Sequence, residues 1–534
     1  MPGVRAAEWL QMCGGVNAQL GQALPGKKVI VVGAGFAGIV LAKHLSDAGF
    51  AVTVIETHDQ AGGRLISQDL GEGFHTNPAA IRSGEGDGLV DLYAQEHDYT
   101  ISNGIPMANA DAVPTLMFDT QTKEACLRVD SADIFPDQYM LARDGVAALY
   151  AERICHNGVY AFGPLETVRK HLGTSQFDAS AVAAANQPID DYMKGLSLKD
   201  FLIKVFVNNT TPPGGKNFEL DDVDRALQIA ATGRHDVFED VCAWADVKWF
   251  LTGAAVNQTC LTKDDKLADL HQLVLDMEER LRYLDVDLHY GTKVTQVNKN
   301  SVDTITIDGT AQTFEADVVL ITATAGGAKA MGLGQGDVLS GNVRYALNHL
   351  NYVKTSKIEW IVPAAAWINN PNLPRNIQFL SPLCPLYILY KAGDVSARVH
   401  VYAWGEDASS MESWGDADET CDTIISWASP ILYAEGYGEI ANAIDYRNSV
   451  AIVHHWASDP LAMGGCTFPL AGQDAMFADL MRNLEEENTV FLCGSAVFGE
   501  GGAWIKDGIR AGLVAFGRAL QITGGEIFCP DFAP

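Results

Sequence analysis

The chain has 534 residues, enough for two or three domains, and its 48% hydrophobic and 19% charged content is typical of a globular protein. Its formal net charge of −30 argues against nucleic acid and anionic membrane surfaces as partners, because both are polyanions. No apolar run is long enough to cross a bilayer, the N-terminal segment lacks the apolar core of a signal peptide, and the ten cysteines form no C-x-x-C pair. We therefore expect a cytoplasmic protein with free thiols and no metal site.

The first strong pattern runs from Lys28 to Arg64 and predicts a strand, a glycine turn, a helix and a second strand that ends in an acid. Three glycines follow the β-branched run Val29 to Val32 in G-x-G-x-x-G spacing: Gly33, Gly35 and Gly38. This spacing allows a tight turn, the close approach of a pyrophosphate, and close packing of the helix on the strand. Glu56, at the end of the next strand, suits a ribose hydroxyl. The order of these elements predicts a dinucleotide site without separating NAD from FAD.

A second glycine pair extends this pattern, because Glu56 is followed by Gly62, Gly63 and Arg64 in E-x5-G-G-R order. This arrangement resembles the FAD site of the glutathione-reductase-like flavoproteins, especially the flavin amine oxidase family, in which the pair and the arginine lie near the FAD phosphates. The resemblance implies FAD as the cofactor. It also implies an α/β fold, in which a glutathione-reductase-like FAD-binding Rossmann domain is joined to a mixed-sheet substrate domain and a helical insertion.

The segment Ala79-Ala80-Ile81-Arg82 is similar to the G-A-M-R motif of the same family, with alanine in place of the first glycine. The resemblance implies that Arg82 binds the substrate carboxylate, as in the amino-acid oxidases. A planar guanidinium can make a bidentate bond to a carboxylate and remains charged when it is buried. A surface or structural arginine is the alternative.

The middle of the chain has less specific patterns. From about Ala110 to Trp249 strand patterns become sparse and amphipathic helical segments dominate, which predicts a helical insertion over the substrate pocket. Lys263 to Leu284 is predicted as one long helix and Phe314 to Thr322 as a buried strand, while Val294 matches the family's adenine-contacting segment. The predicted division is an FAD-binding domain of 28–70, 263–330 and 470–525, a substrate-binding domain of 71–110 and 340–469, and a helical insertion of 111–262.

Two further family matches lie in predicted strands. Lys357 follows Thr355 and Ser356, at the point where amine oxidases of this family have a lysine that holds a water beside flavin N5; Lys354 is a nearby rival. Tyr387 aligns with a tyrosine that bonds the substrate carboxylate in amino-acid oxidases. Tyr390 is close enough in sequence to leave that assignment open.

The end of the chain completes the match to the family. Trp456 begins a W-x-x-D-P-x-x-x-G signature whose tryptophan walls the pocket beside the flavin, with a core tryptophan as the alternative. Four residues of the final block match the segment that closes the FAD site: Gly494, Ser495, Trp504 and Ile505. Two departures concern flavin tuning, because Ser495 and Lys506 stand where the family usually has acids.

Together these matches imply an FAD-dependent L-amino-acid oxidase. Arg82 and Tyr387 would hold the carboxylate while a hydride leaves Cα for flavin N5, and Lys357 would assist the reaction with O2. The products would be a 2-oxo acid, ammonia and hydrogen peroxide, and the tryptophan-rich second half favours an apolar or aromatic side chain.

Three alternatives remain open at this point. One is an amino-acid 2-monooxygenase that releases an amide and CO2, and another is an oxidase of a non-carboxylated amine. The third is a catalytically silent flavin-binding protein. The expected partners are a small amino acid or amine and O2, and the oligomeric state, including a homodimer, is open.

Overall fold

The computed structural model describes residues 6–76, 88–102, 115–119, 124–128, 137–165, 187–189, 191–230, 237, 239–243, 260–263, 266–379, 386–389, 395–445, 450–484, 487–497 and 505–529. The strands in these ranges are β1 Gly21–Gln22, β2 Lys28–Val32, β3 Ala51–Ile55, β4 Asp69–Gly71, β5 Phe74–His75, β6 Thr100–Ser102, β7 Thr115–Asp119, β8 Glu124–Arg128, β9 Ile154–His156, β10 Val159–Phe162, β11 Cys260–Lys263, β12 Lys266–Ala268, β13 Asp287–His289, β14 Thr292–Val297, β15 Ser301–Thr306, β16 Ala311–Glu315, β17 Val318–Ile321, β18 Tyr352–Val353, β19 Thr355–Pro363, β20 Asn376–Phe379, β21 Leu386–Leu389, β22 Ser396–Trp404, β23 Ile452–His455, β24 Cys466–Thr467, β25 Val490–Leu492 and β26 Glu526–Ile527. The helices are α1 Ala6–Met12, α2 Phe36–Asp47, α3 Leu89–Glu96, α4 Met140–Ala151, α5 Leu198–Leu202, α6 Leu220–Ala230, α7 Leu270–Tyr283, α8 Ala325–Ala330, α9 Gly341–His349, α10 Ala365–Asn369, α11 Gly405–Glu412, α12 Ala417–Ala434, α13 Gly438–Ile444, α14 Asp474–Arg482 and α15 Ile505–Thr523. In the described part of the chain, no helix has the length and apolar character needed to span a membrane.

The first of the two main sheets is parallel, with strand order β13-β3-β2-β17-β25. Strand β17, between β2 and β25, is buried along its whole length, as expected when helices cover both faces. The carboxyl ends of β2, β3 and β17 meet at one edge, where the Gly33 amide donates to Ile55 and the Thr322 amide to Val32, both at 2.9 Å. This edge is the usual ligand-binding position of a Rossmann sheet, so the predicted fold class is confirmed.

The second main sheet is mixed, with strand order β23-β19-β22-β21-β20-β7-β8. Only the β20–β7 pair among these neighbours is parallel. β19 lies between β22 and β23 and is buried along its length except at Pro363. The register places Lys357 of β19 opposite Tyr402 of β22 on one side and His454 of β23 on the other. Three chemically active side chains therefore belong to one row across three strands.

A separate core lies beneath the helical segments α4, α5 and α6, which the sequence analysis predicted as helical. β7 and β8 differ from that expectation, since they form the edge of the mixed sheet although they lie within a stretch predicted to be mainly helical. Their pairing is non-local, because β7 lies against Asn376–Phe379, and a local pattern cannot reveal it.

Two predicted elements are divided in the structure. The helix predicted from Lys263 begins at Leu270, because Asp269 has an extended backbone and caps the helix by accepting a hydrogen bond from the Gln272 amide at 2.7 Å. The strand predicted from Phe314 to Thr322 breaks at Asp317, whose carboxylate accepts from the Lys28 amide at 2.9 Å. Both predictions were wrong at these positions, because a polar side chain there binds backbone amides instead of continuing the element.

Candidate active site

A cavity of about 540 Å³ lies between the carboxyl edge of the parallel sheet and the mixed sheet. We call the part lined by the β2–α2 turn and the segment after β3 the dinucleotide end, and the part lined by β19, β22 and β23 the sheet end. The sequence analysis expected both regions to contact ligands, from separate motifs.

The glycines of the first turn have two different roles at the dinucleotide end. Gly33 and Gly35 line the cavity, and a Cβ built on Gly35 would meet no atom closer than 4.0 Å. Gly38 lies behind the turn, where a Cβ would be 2.0 Å from the Gly33 carbonyl oxygen. The turn therefore leaves open space for a ligand at Gly35, while Gly38 lets helix α2 pack closely.

Glu56 and Val294 both line the dinucleotide end, as the sequence analysis expected. Glu56 is 8% exposed, and its carboxyl oxygens accept hydrogen bonds from the Ala34 amide at 2.7 Å and the His58 amide at 2.9 Å. These two bonds fix the side chain at the end of β3, beside the glycine turn.

Arg64 joins three distant segments at the cavity wall. Arg64 directly follows Gly62 and Gly63, and all three residues line the cavity. Its guanidinium donates to the Gly465 carbonyl oxygen and to Ser495 Oγ, both at 2.6 Å. Ser495, which replaces the family's usual acid, therefore accepts a hydrogen bond from this arginine without bringing a negative charge.

The C-terminal block meets the same wall. Ile505, the first residue of α15, lines the cavity together with Ser495. Gly494 lies behind it, where a Cβ would be 2.7 Å from the Ala323 carbonyl oxygen, so this glycine permits close packing. Trp504 falls outside the described residues.

Aromatic side chains and a buried lysine form the sheet end. Lys357 is 1% exposed, and its Nζ lies 4.2 Å from the centroid of the Tyr402 ring. Tyr402, Trp404 and Trp456 line the cavity, and Lys357 lies in the register between two lining residues. The rival Lys354 is exposed and donates to Ser409 Oγ at 3.1 Å, away from the cavity.

Arg82 lies in the range 77–87, which is outside the described residues. Tyr390 is also outside the described residues. The backbone of Tyr387 is described, and it pairs with His400 of β22 and Asn376 of β20. Its position in β21 is therefore one strand further from Lys357 than that of Tyr402.

The sequence analysis missed several lining residues of the sheet end, among them Tyr402 and His454. Tyr402 belongs to the YAWGEDA stretch, and His454 stands two residues before Trp456. The signal that could have identified them is alternation along their strands, which puts every second residue on the same face as its partner in β19.

His454 and Asp459 form a pair at this end of the cavity, with His454 Nε2 3.7 Å from Asp459 Oδ2. The rings of His454 and Trp456 have centroids 3.9 Å apart. Burial would raise the pKa of Asp459, but the neighbouring imidazole of His454 and hydrogen bonds from the Ala462 and Leu461 amides outweigh it and lower the pKa to about 2. Asp459 is thus a carboxylate at neutral pH.

A buried polar cluster lies in the same sheet, outside the lining. His400 Nδ1 is 2.7 Å from Glu359 Oε1, and Arg398 Nε is 3.6 Å from the same oxygen. Arg398 also donates to the His75 carbonyl, which ties the β4–β5 hairpin to the sheet. Burial lowers the pKa of His400 to about 4, although Glu359 acts in the opposite direction, so the imidazole is neutral at pH 7.

Comparison with known proteins gives matches along most of the chain. The sequence profile of the flavin containing amine oxidoreductases matches residues 216–515, and that of an NAD(P)-binding Rossmann-like domain matches residues 31–95. Tryptophan 2-monooxygenase of Pseudomonas savastanoi is 22% identical over 97% of this chain and 93% of its own length. The Rhizobium rhizogenes protein of the same name is 22% identical over 90% of this chain and 65% of its own length.

Shorter and structural matches agree with these. An L-amino acid oxidase of Bothrops pictus is 35% identical over 14% of this chain and 16% of its own length. A solved structure of a putrescine oxidase variant has a TM-score of 0.67 at 15% identity and covers 93% of this chain and 99% of its own.

Proposed function

The chain belongs to the flavin-containing amine oxidoreductase family, and we propose that it is an amino-acid 2-monooxygenase acting on an L-amino acid with an apolar or aromatic side chain. The observation that carries this choice is the extent of the matches to the two tryptophan 2-monooxygenases, which run along most of the chain. The match to the Bothrops oxidase covers only a short part of it. The longer alignments cover 97% and 90% of the chain.

The cofactor is FAD, and the residues of the dinucleotide end fit it. Gly35 leaves open space beside the turn, where a pyrophosphate can approach the backbone. Each Glu56 carboxyl oxygen accepts one amide and has a further lone pair for a ribose hydroxyl. The Arg64 guanidinium supplies positive charge for the phosphates. Bound FAD supplies the acceptor for the hydride that leaves the α-carbon of the substrate.

We assign the substrate carboxylate to Arg82 and a tyrosine of the sheet end. The role of Arg82 is assigned from its sequence match, and its bidentate bond to the carboxylate would fix the orientation of the α-carbon. Tyr402 is the better candidate for the tyrosine, because it lines the cavity next to Lys357. Tyr387 remains the alternative that the sequence match favours.

The apolar walls account for the preferred side chain. Trp404 and Trp456 line the sheet end together with Ile452, and large aromatic surfaces bind an aromatic or apolar group while they exclude water. Lys357, buried beside the lining residue Tyr402, would hold a water near the reacting centre. Exclusion of bulk water strengthens the electrostatic contacts with the carboxylate.

Product analysis with L-tryptophan in air tests this proposal. The 2-monooxygenase reaction consumes one O2 and yields the amide one carbon shorter, CO2 and water. The oxidase reaction consumes O2 and water and yields the 2-oxo acid, ammonia and hydrogen peroxide. We expect amide and CO2 in equal amounts with little peroxide; stoichiometric peroxide and ammonia without amide would establish the oxidase, which the local Bothrops match supports as the second candidate.

A comparison of L-tryptophan with tryptamine tests the role of the carboxylate, because the two differ only in that group. Tight binding of tryptamine, unaffected by Arg82→Met, would identify an oxidase of non-carboxylated amines instead. A yellow protein that no amino acid or amine bleaches without oxygen would identify a silent flavin-binding protein.

A further inference from the structure

The sheet end contains one histidine whose role the proposed function does not explain. His454 stands in the same row as Lys357 and Tyr402, on the strand at the edge of the mixed sheet. Its side chain is 32% exposed and lines the cavity, whereas Lys357 beside it is 1% exposed. A ligand in the cavity can therefore reach the imidazole.

We propose that His454, backed by Asp459, is the catalytic proton acceptor that converts the α-ammonium of the substrate to the neutral amine; this rests on the proposed function. An ammonium nitrogen has no lone pair, and hydride loss from the adjacent carbon requires one to form the carbon–nitrogen double bond. A group that removes the proton in the cavity therefore precedes the oxidation.

The geometry around His454 suits this task. Nε2 is buried and makes no hydrogen bond to a described residue, and Asp459 Oδ2 lies 3.7 Å from it, close enough to attract the positive charge of an imidazolium. With the proton on Nε2, Nδ1 has the lone pair that accepts the proton of the substrate. In the transfer, an N–H bond of the ammonium breaks and its electron pair stays on the substrate nitrogen, while an N–H bond forms at Nδ1.

Asp459 is fixed and charged, as the backing group of a base must be. Its Oδ1 accepts the Leu461 amide at 2.8 Å and the Ala462 amide at 2.9 Å, which leaves Oδ2 for the imidazole. A carboxylate so placed holds the ring orientation and stabilises the imidazolium that forms. The proton then leaves through the exposed part of the ring to water.

Other charged groups around His454 affect the transfer of the proton from the substrate ammonium to the imidazole. Lys357 faces it from β19 and disfavours a second positive charge, while Tyr402 faces the cavity from β22. On the opposite side of β23, His455 Nδ1 lies 2.9 Å from Ser356 Oγ, and the charge of Glu412 acts on this second imidazole. Asp459 is thus the group that favours protonation from the cavity side.

The test is anaerobic reduction of the bound FAD by L-tryptophan between pH 5.5 and 10, in the wild type, His454→Gln and the matched control His455→Gln. General-base catalysis contributes roughly 100- to 10,000-fold. We expect His454→Gln to be reduced at least about 100-fold more slowly at pH 7 and to recover at high pH, where the free substrate amine is neutral. The control should stay within about threefold of the wild type at every pH, because its imidazole lies outside the cavity lining.

A binding measurement separates proton transfer from pocket shape. Indole-3-acetate has the carboxylate and the ring but no amine, so its affinity for the oxidised protein should be the same in His454→Gln and wild type. If the His454→Gln variant does not retain FAD, the variant Asp459→Asn is used in its place. Asparagine can still accept hydrogen bonds from the two backbone amides, while the negative charge is removed.

Each outcome bears on one claim. A wild-type protein that L-tryptophan cannot reduce contradicts the proposed function. A reducible wild type with an unaffected His454→Gln, or with the same loss at all pH values, overturns the role of His454 alone.

Discussion

Close packing of α2 on the glycine turn gives a sharp prediction for Gly38→Ala. A Cβ at this position would lie 2.0 Å from the Gly33 carbonyl oxygen and 2.9 Å from Thr322 Oγ1, and real Cβ contacts essentially never fall below 3.0 Å. Helix α2 must therefore move away from the turn by about 1 Å, the difference between the 3.0 Å limit and the 2.0 Å contact. Overpacking of this kind costs about 1–3 kcal/mol and displaces the turn that faces the dinucleotide.

The matched control is Gly512→Ala, on α15 where that helix packs against α2. A Cβ there would be 3.5 Å from the Ala37 carbonyl oxygen, an ordinary contact, so the change should gain up to about 1 kcal/mol of helix propensity. We expect Gly38→Ala to unfold at a lower temperature than wild type and to bind FAD at least about tenfold more weakly, or about 1.4 kcal/mol. Gly512→Ala should keep both properties.

Thermal unfolding of the apoprotein and titration of FAD fluorescence measure these quantities. Equal flavin affinity and equal melting temperature in the two variants would refute the reasoning, because the close approach at Gly38 would then impose no constraint on the turn.

Three more predictions follow from the site. The pKa of His400 in the folded protein, about 4, lies below its unfolded value of about 6.5, so its contribution to stability is complete above pH 6.5 and about 3 kcal/mol is lost as the pH falls to 4. Between pH 6.5 and 4 the melting temperature should therefore fall more steeply with pH in the wild type than in His400→Gln, and equal slopes would contradict a neutral, buried His400. Arg64→Met should weaken FAD binding at least about tenfold, because two hydrogen bonds at the cavity wall are lost. The control Arg344→Met, in helix α9 and outside the cavity lining, should leave the flavin content unaltered. Tyr402→Phe should raise the KM for L-tryptophan about tenfold and leave the KM for tryptamine unchanged, because only L-tryptophan has a carboxylate for the Tyr402 hydroxyl to bind. An equal rise in KM for both substrates would exclude a hydrogen bond from Tyr402 to the carboxylate.

Local chemistry made the dinucleotide end predictable. Gly33, Gly35 and Gly38 act through a turn and a helix within ten residues of each other, and β3, Ala51–Ile55, ends directly before Glu56, as the sequence analysis predicted.

Register made the sheet end harder to predict. Tyr402 and His454 stand beside Lys357 only because β22 and β23 pair with β19 at particular offsets, and these strands are separated by long connections. A shift by one residue would have put both side chains on the opposite face. The resemblance to the amino-acid oxidases therefore favoured Tyr387, while Tyr402 became apparent only from the strand pairing.

Polar caps account for the misplaced element boundaries. Asp269 and Asp317 each accept backbone amides, and each interrupts a run whose apolar pattern continues through it. Such side-chain bonds depend on which amides the fold brings close, and they compete with the local propensity.

Anaerobic mixing of the FAD-loaded protein with L-tryptophan, with tryptamine as the comparison, tests the central claim most directly. We expect L-tryptophan to bleach the flavin absorbance in a single turnover and tryptamine to do so far more slowly, because only the amino acid has the carboxylate that orients its α-carbon. Bleaching by tryptamine at an equal or higher rate, or no bleaching by L-tryptophan, would contradict oxidation of an amino acid at this site.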